Sequence, residues 1–289
     1  MKVLVLGAGG MIGHAMFHVL HQVVTWDVWG TLRTDFDRQY FPAALAERLV
    51  VGGDIERTES IPRMLAGLRP DVVINCVGLT KHHQQSEDPQ LALPVNALLP
   101  HRLADLCAAN GARLVHVSTD CVFAGSRGDY RESDPPDAID VYGKSKHLGE
   151  VDYPHAVTLR TSTIGHELHS ANGLLEWFLA QEKECKGYAR AIFSGLTNRE
   201  LAKVVRDFVI PNTTLRGLYH VGGTAINKFD LLGLIADTYS KSIRIVRDDA
   251  FVIDRSLNTQ RFFEVTGYIP PSWVEMIRDM HSKKDLGNV

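Results

Sequence analysis

Three glycines that follow a short apolar segment near the start of the chain most constrain its fold. Lys2–Leu6 has the composition of a buried strand, and Gly7, Gly10 and Gly13 come directly after it. A loop of glycines lets the backbone approach a phosphate closely. The helix predicted from Met11 directs its free N–H groups and positive dipole end to the same point. The segment therefore predicts the first strand, turn and helix of a dinucleotide-binding sheet.

Length and composition indicate a compact globular protein with two lobes. The chain has 289 residues, of which 45% are hydrophobic and 22% are charged, so it can bury a large core and is too apolar to be disordered. Its net charge of −3 gives no basic surface for nucleic acid or an anionic membrane. The first apolar run is too short for a signal peptide, and no stretch reaches the ~20 apolar residues of a membrane span. We therefore expect neither kind of partner.

The cysteines favour a reducing compartment. The chain has four of them, Cys76, Cys107, Cys121 and Cys185, and they form no C-x-x-C pair. Secreted disulfide frameworks and metal sites use closely spaced sets, whereas isolated cysteines serve as small apolar side chains. We therefore expect free thiols and a cytoplasmic protein.

Strand-like and helical segments alternate through the first half of the chain. The predicted strands are Lys2–Leu6, Trp26–Thr31, Leu49–Val51, Val72–Cys76, Arg113–Val117 and Ala156–Arg160. The predicted helices are Met11–Leu20, Ser60–Leu68, Leu91–Asn110 and Val141–Val151. Apolar strands separated by helices predict an α/β fold with a doubly wound parallel sheet of the Rossmann type. We place this NAD(P)-binding domain at residues 1–160.

The pattern changes after Arg160, and residues 161–289 are predicted to form a smaller α/β lobe that binds the substrate. The predicted helices are Gly173–Gln181, Asn198–Phe208, Lys228–Tyr239, Asn258–Thr266 and Trp273–Met280. The predicted strands are Ala191–Phe193, Gly217–Val221 and Ser242–Val246. Ligands of doubly wound sheets bind at the carboxyl ends of the strands, so we expect the substrate between that edge and this lobe.

A Tyr-x-x-x-Lys pair, Tyr142 and Lys146, lies at the start of a predicted helix. Side chains four residues apart lie on one helix face and reach the same ligand. A free tyrosine has a pKa of ~10, and a neighbouring ammonium group favours the phenolate and lowers that pKa. The spacing therefore predicts that Tyr142 is an acid–base group supported by the charge of Lys146.

Two hydroxyl residues, Ser118 and Thr119, follow the predicted strand Arg113–Val117 at the edge where ligands bind. A hydroxyl group there can form a hydrogen bond to the same substrate oxygen as Tyr142. The glycine loop, the Ser-Thr pair and the Tyr-x-x-x-Lys pair occur in this order along the chain. Together they predict a single site in which a dinucleotide and a substrate meet.

Several segments resemble those of a known enzyme family. The glycine spacing G-x-x-G-x-x-G, with Ile12 where the third glycine of G-x-G-x-x-G would stand, resembles the extended short-chain dehydrogenases/reductases. The segments Ser118–Gly125, Val141–Lys146, Arg160–Ser162, Leu218–Gly223 and Asp254–Asn258 are similar to those of dTDP-4-dehydrorhamnose reductases. This resemblance implies an NADPH-dependent reductase of a nucleoside-diphosphate 4-keto deoxysugar, in cell-surface polysaccharide or other deoxysugar biosynthesis. The nucleotide sugar would be its small-molecule partner.

The resemblance also implies roles for single residues. Thr119 would hold the substrate oxygen, Tyr142 would transfer the proton, and Lys146 would support Tyr142 and bind the nicotinamide ribose. The expected cofactor contacts are Gly7, Gly10, Met11, Ile12, Gly13, Arg33, Asp54, Ile55, Cys76, Val77, Gly78, Asn96, Tyr142 and Lys146. The expected substrate contacts are Thr80, His82, Ser118, Thr119 and Thr163.

The end of the second predicted strand bears on the choice of cofactor. NAD-binding members usually have an acidic residue there, which accepts hydrogen bonds from the ribose hydroxyls. This chain has Thr31 and Arg33 instead. A guanidinium group pairs with a phosphate through two hydrogen bonds, so Arg33 favours NADPH through its 2′-phosphate. NADH, with Arg33 as an ordinary solvated side chain, is the alternative.

Two positions depart from the family pattern. Ala15 stands where a magnesium-bound relative has a glutamate, so we expect no metal, and Thr163 replaces a tryptophan that often packs near the sugar. The identity of the sugar therefore stays open. Three histidines of the first helix, His14, His18 and His21, lack a carboxylate at ligand spacing and are expected to be half-buried helix positions.

Two other functions remain open beside the reductase. A nucleotide-sugar epimerase would use the same scaffold and hold NAD tightly. A regulatory subunit is the second alternative, since the beta subunit of methionine adenosyltransferase resembles these reductases. A dehydratase would need an acidic residue after Asp120, where this chain has Cys121. The intact set of Thr119, Tyr142 and Lys146 favours a reductase, and the sequence assigns no oligomeric state.

Overall fold

The computed structural model describes residues 1–52, 60–80, 84–168 and 170–282. The strands in these ranges are β1 (Lys2–Leu6), β2 (Asp27–Leu32), β3 (Leu49–Val51), β4 (Val72–Asn75), β5 (Arg113–Thr119), β6 (Ala156–Thr161), β7 (Thr163–Ile164), β8 (Glu184–Phe193), β9 (Leu196–Thr197), β10 (Gly217–His220), β11 (Ile226–Asn227) and β12 (Arg244–Asp254).

The α-helices in the same ranges are α1 (Met11–His21), α2 (Ala43–Ala46), α3 (Ser60–Leu68), α4 (Pro89–Ala92), α5 (Leu99–Asn110), α6 (Val141–Leu148), α7 (Leu174–Ala180), α8 (Asn198–Val204), α9 (Lys228–Thr238), α10 (Gln260–Thr266) and α11 (Trp273–Ser282). Short 3₁₀ segments lie at Asp35–Tyr40, Gln84–Glu87 and Asp120–Val122. A π-helical segment, Leu93–Leu98, joins α4 to α5, and a second one, Val205–Val209, continues α8.

A seven-stranded sheet forms the centre of the protein, in the order β10-β6-β5-β4-β1-β2-β3. All neighbouring strands of this sheet are parallel. Its middle strands are buried along nearly their whole length, as expected when helices cover both faces of a sheet. The predicted doubly wound fold of the Rossmann type is confirmed.

The two faces of the sheet have separate apolar cores. Val3 and Val5 of β1 belong to the core that also contains Phe17 of α1, whereas Leu4 and Leu6 belong to the core on the other face. Successive side chains of a strand point to opposite faces, which explains this division. Helices α1 and α8 pack together on the first face, and α3 and α5 pack together on the second.

The strand at one edge of the central sheet comes from the second half of the chain. We expected a strand at 217–221 in the smaller lobe, but β10 pairs with β6, with Gly217 opposite Val157. A short apolar run carries no signal of which sheet it joins. The central sheet therefore draws on both predicted domains, 1–160 and 161–289, and that division stays a prediction.

The smaller lobe is built around a three-stranded sheet in the order β11-β8-β12, which α9 covers. Strands β8 and β12 are parallel and much longer than the predicted segments 191–193 and 242–246. The buried positions of β8 include the small residues Gly187 and Ala189, and every residue of β12 is exposed or half-buried. Their hydrophobic patterns are therefore too weak to show the full strands in the sequence.

The packing of Phe17 gives a test of the core beside the glycine loop. This side chain is 0% exposed, and its ring centroid lies 5.8 Å from that of Phe41. Phe17→Ala should lower the free energy of unfolding by about 3–5 kcal/mol, because it leaves a large cavity. Val24, which is 98% exposed, provides the control, and Val24→Ala should change that free energy by less than about 0.5 kcal/mol. Equal effects of the two substitutions in denaturant unfolding would contradict this packing.

Candidate active site

Hydrogen bonds fasten the glycine loop to the end of β2. Gly7 has a φ of 82°, in the left-handed region that favours glycine. Its N–H group donates to Thr31 Oγ1 at 3.0 Å, and the N–H group of Ala8 donates to the Thr31 carbonyl oxygen at 2.9 Å. The N–H group of Gly10 closes the turn on the Gly7 carbonyl oxygen at 3.0 Å. The loop is therefore held in place by the chain's own backbone and by one threonine.

Gly13 and Gly10 differ in the space that an added side chain would have. A Cβ atom on Gly13 would overlap the carbonyl group of Gly7, so α1 approaches the loop this closely only because Gly13 has no side chain. A Cβ atom on Gly10 would lie 3.5 Å from the same oxygen, an ordinary contact. Gly10 is exposed and is the N-terminal cap of α1, where the free N–H groups of the helix can bind an anion.

The end of β2 carries both a cation and a carboxylate. Arg33 is exposed, as expected for a residue that would meet a 2′-phosphate. The Thr31 hydroxyl group accepts the hydrogen bond from Gly7 and is 2% exposed, so it supports the loop. Asp37 was missed by the sequence analysis: it is buried, and a Cβ atom on Gly9 would lie 3.3 Å from its Oδ2 atom.

The segment after β4 packs against the glycine loop. Asn75 accepts a hydrogen bond from the N–H group of Val77 at 3.1 Å, and its Nδ2 atom lies 3.1 Å from His116 Nδ1. A Cβ atom on Gly7 would lie 3.1 Å from Val77 Cγ2 and 3.4 Å from the carbonyl carbon of Cys76. The structure thus brings Cys76 and Val77 beside the loop, as expected for residues that line a cofactor site.

Asn96 fastens this segment to the helix that carries the tyrosine. Its side chain accepts a hydrogen bond from the N–H group of Leu79 at 2.9 Å and donates to the Leu79 carbonyl oxygen at 3.1 Å. Its Nδ2 atom also donates to Ser145 Oγ at 3.2 Å. A Cβ atom on Gly78 would lie 3.3 Å from Asn96 Oδ1 and 3.9 Å from Lys146 Nζ. Asn96 is fully buried, so its polar groups are used to order the site.

Thr119, Tyr142 and Lys146 come together at the carboxyl edge of the sheet. Thr119 is the last residue of β5, and its side chain is hydrogen-bonded to that of Tyr142. The Thr119 hydroxyl group also accepts a hydrogen bond from the N–H group of Cys121 at 3.1 Å. Lys146 lies one turn after Tyr142 on α6 and donates to the Val117 carbonyl oxygen at 2.9 Å. Asp140 caps this helix by accepting from the N–H group of Gly143 at 2.6 Å.

Burial controls the protonation of both residues on α6. It raises the pKa of Tyr142 well above its ordinary value; the neighbouring Cys121 adds to this effect, and the hydrogen bond with Thr119 opposes it. The expected lowering of the tyrosine pKa is therefore wrong for this structure, because desolvation disfavours the phenolate more strongly. Burial also lowers the pKa of Lys146 to about 8, while Glu150 and Cys76 act to raise it.

The expected substrate contacts lie in different surroundings. Thr80 is exposed and Thr163 is half-buried in β7. The Ser118 hydroxyl group donates to Glu150 Oε1 at 2.8 Å, so it is engaged with a carboxylate of the protein. Its role in binding substrate stays a prediction. His82, Asp54 and Ile55 lie outside the described residues.

The histidines of α1 are embedded in apolar packing. Burial lowers the pKa of His14 to about 3 and that of His18 to about 4. The His18 ring stacks on Phe41 at 5.6 Å between centroids. Within the ranges given above, no group of three or more His, Cys, Asp or Glu side chains could hold a metal ion. Likewise, none of the helices in the described chain is long and apolar enough to cross a membrane.

Comparison with known proteins identifies the family. The family model described as "RmlD substrate binding domain" matches residues 1–283. This chain belongs to that family. The chain is similar to the dTDP-4-dehydrorhamnose reductase of Salmonella typhimurium, with 28% identity over 249 residues, or 76% of this chain and 82% of the relative. The predicted family resemblance is confirmed.

Two further relatives illustrate the range of the fold. The crystal structure of dTDP-4-dehydrorhamnose reductase from Bacillus anthracis in complex with NADP has a TM-score of 0.78 at 23% identity and covers 98% of this chain and 99% of that one. This likeness shows a shared fold over the whole chain. Methionine adenosyltransferase 2 subunit beta of Danio rerio is 24% identical over 254 residues, or 83% of this chain and 74% of the relative.

Substitutions at Gly13 and Gly10 should separate folding from ligand binding. Gly13→Ala should destabilise the ligand-free protein, because a methyl group there overlaps the Gly7 carbonyl group. Gly10→Ala should lower the free energy of unfolding by only about 1 kcal/mol, the cost of a poorer N-cap. It should nevertheless weaken binding of the expected dinucleotide by ~10-fold or more, a loss of about 1.4 kcal/mol, since the methyl group would stand where a phosphate is expected to approach. Thermal unfolding and cofactor fluorescence measure the two effects. Full-strength binding by Gly10→Ala would place the phosphate elsewhere.

Proposed function

We propose that the protein is an NADPH-dependent reductase of a 4-keto deoxysugar attached to a nucleoside diphosphate, with an activity like that of dTDP-4-dehydrorhamnose reductase. One observation carries the proposal: Thr119, Tyr142 and Lys146 meet at the carboxyl edge of the sheet, next to the segment that packs on the glycine loop. Membership of the family and the reductases among its relatives support it. Free thiols at all four cysteines support a cytoplasmic location.

The chain's own residues fit the cofactor. Gly10 and the N-terminus of α1 would hold the pyrophosphate, Arg33 the 2′-phosphate, and Lys146 the nicotinamide ribose. Cys76, Val77 and Gly78 would line the nicotinamide end, and Met11 and Ile12 would follow the loop. Bound NADPH would supply the hydride. Asp54 and Ile55 are proposed for the adenine from the family resemblance alone.

Tyr142 would act as the proton donor to the carbonyl oxygen of the sugar. Because burial raises its pKa, the phenol stays protonated at neutral pH and is ready to give up its proton when negative charge develops on the substrate oxygen. The Thr119 hydroxyl group, which donates to Asp120 Oδ1 at 3.2 Å and lies beside Tyr142, would turn its proton to that oxygen and hold it. The sugar would lie between this edge and the smaller lobe, within reach of Thr80 and Thr163. His82 is proposed as a sugar contact from the sequence alone.

A regulatory subunit is the second candidate, and the similarity to methionine adenosyltransferase 2 subunit beta favours it. The two functions make different demands on the site. A reductase needs Thr119, Tyr142 and Lys146 together, whereas a regulatory subunit does not. Assay of NADPH oxidation with a panel of keto-sugar nucleotides decides between them. No turnover with any sugar, together with a stable protein partner, would favour the regulatory role. An epimerase would instead purify with tightly held NAD.

Tyr142→Phe tests the proposed proton donor. It should lower kcat by ~10²–10⁴-fold, because the phenol oxygen acts on the substrate carbonyl. NADPH affinity should stay within a few fold, since the ring still lines the site. Tyr153→Phe is the matched control. Tyr153 lies just before the amino end of β6, with its hydroxyl group 3.0 Å from His101 Nδ1, and the variant should keep full activity. A Tyr142→Phe rate above a tenth of wild type would remove Tyr142 from the mechanism.

Arg33→Ala tests the proposed contact with the 2′-phosphate. A hydrogen bond to a charged group contributes roughly 1.5–3 kcal/mol, so NADPH binding should weaken ~10-fold or more. NADH lacks that phosphate, and its binding should hardly change. Titration of the two cofactors by fluorescence measures the difference. Equal losses for both would show that Arg33 acts on the fold and not on the 2′-phosphate.

A further inference from the structure

A buried carboxylate, Glu150, lies directly behind the proposed site. It follows α6, and its side chain is 7% exposed. Arg160 donates two hydrogen bonds to it, from Nε to Oε1 at 2.6 Å and from a second guanidinium nitrogen to Oε2 at 2.7 Å. Ser118 donates to Oε1 at 2.8 Å, and His147 Nδ1 lies 3.0 Å from Oε2. Together these partners lower the pKa of Glu150, so it stays ionised despite its burial.

These contacts tie the ends of three strands to one helix. Ser118 is near the end of β5, Arg160 is in β6, and Glu150 follows the last turn of α6. Arg160 continues the network to β10, where its Nη1 atom lies 3.3 Å from His220 Nε2. Tyr142 and Lys146 are on this same helix, and Thr119 is next to Ser118. The network therefore sets where α6 stands relative to β5.

Glu150 also lies four residues after Lys146, just beyond the end of α6. An ammonium group as buried as that of Lys146 is costly to keep charged, and its one described hydrogen bond is to the neutral Val117 carbonyl. The groups that face it are Glu150, the Cys76 thiol and the His116 ring. Burial raises the pKa of Cys76 to about 12 and keeps His116 neutral, so neither carries a compensating charge at neutral pH. Glu150 is thus the anion that supports Lys146.

We infer that Glu150 is a positioning residue of the proposed reductase: its carboxylate, bound by Arg160 and Ser118, holds α6 in register with Thr119 and places a negative charge behind Lys146. Arg160 and Ser118 keep that carboxylate ionised and oriented. The inference rests on the proposed function, because it assigns Lys146 to the cofactor ribose. It adds to the Thr119–Tyr142–Lys146 set a fourth residue that touches neither substrate nor cofactor.

Glu150→Gln tests the charge and keeps the shape. Without the carboxylate, the pKa of Lys146 falls further, so more of this residue is neutral at a given pH. The basic limb of the pH profile of kcat/KM should therefore move to lower pH by about one unit. Tyr142 does not contribute to this basic limb, because burial raises its pKa far above the pH range in which the limb lies. Glu150→Asp, which restores the charge, should move the limb back towards wild type.

Two further variants separate charge from folding. Lys144→Gln removes an exposed charge from the same helix and should leave the pH profile unchanged. Glu150→Gln alone leaves Arg160 buried without its partner and can destabilise the protein, so it is compared with the double variant Glu150→Gln, Arg160→Met. Replacing both charges of a buried pair is often neutral for stability. The double variant should fold and still show the shifted limb; a wild-type limb in it would overturn the inference.

NADPH binding gives a second readout that needs no sugar. The pH at which NADPH affinity falls should move down by the same amount in Glu150→Gln and in the double variant. An unchanged binding profile in both would overturn the inference about Glu150. Failure of the wild-type protein to reduce any keto-sugar nucleotide, with this binding shift present, would instead overturn the proposed function alone.

Discussion

The rest of the structure depends on one close contact between two stretches of backbone. Gly13 of α1 packs directly on the carbonyl group of Gly7. It fixes the first helix at the end of the first strand, and Thr31 then fastens the loop to β2. The segment after β4 packs on the same glycine, and through Asn96 it reaches the helix of Tyr142. A chain of contacts thus runs from the glycine loop to the helix that carries Tyr142.

Much of the fold follows from the sequence because its signals are local. Four strands of the central sheet are apolar runs between glycine-rich or polar turns. In the structure each of these strands begins at the predicted residue; they are β1, β4, β5 and β6. Tyr142 and Lys146 share a face of α6 because helical spacing requires it. The order of motifs along the chain was enough to predict that Thr119 would lie near Tyr142. Hydrophobic period and residue spacing determine these features without tertiary information.

Other features depend on contacts between distant parts of the chain. Asp37 approaches Gly9 from a 3₁₀ segment that no hydrophobic pattern marks. Ser118 and Thr119 look equivalent in the sequence, yet one hydroxyl group faces Glu150 and the other Tyr142. The pKa of Tyr142 was predicted from one neighbouring charge, whereas desolvation by the surrounding fold outweighs it. Such outcomes depend on burial, which spacing along the chain does not give.

Strand β10, from the second half of the chain, covers the edge of β6, from the first half. Without β10, β6 would be the edge of the sheet, and its unpaired N–H and C=O groups would be open to another chain. The second half therefore completes the nucleotide-binding sheet as well as adding a lobe to it. Because β10 pairs with β6, we expect a substitution in either half to change the thermal unfolding of the central sheet. Any rearrangement of the smaller lobe must accordingly preserve β10, because this strand belongs to the central sheet.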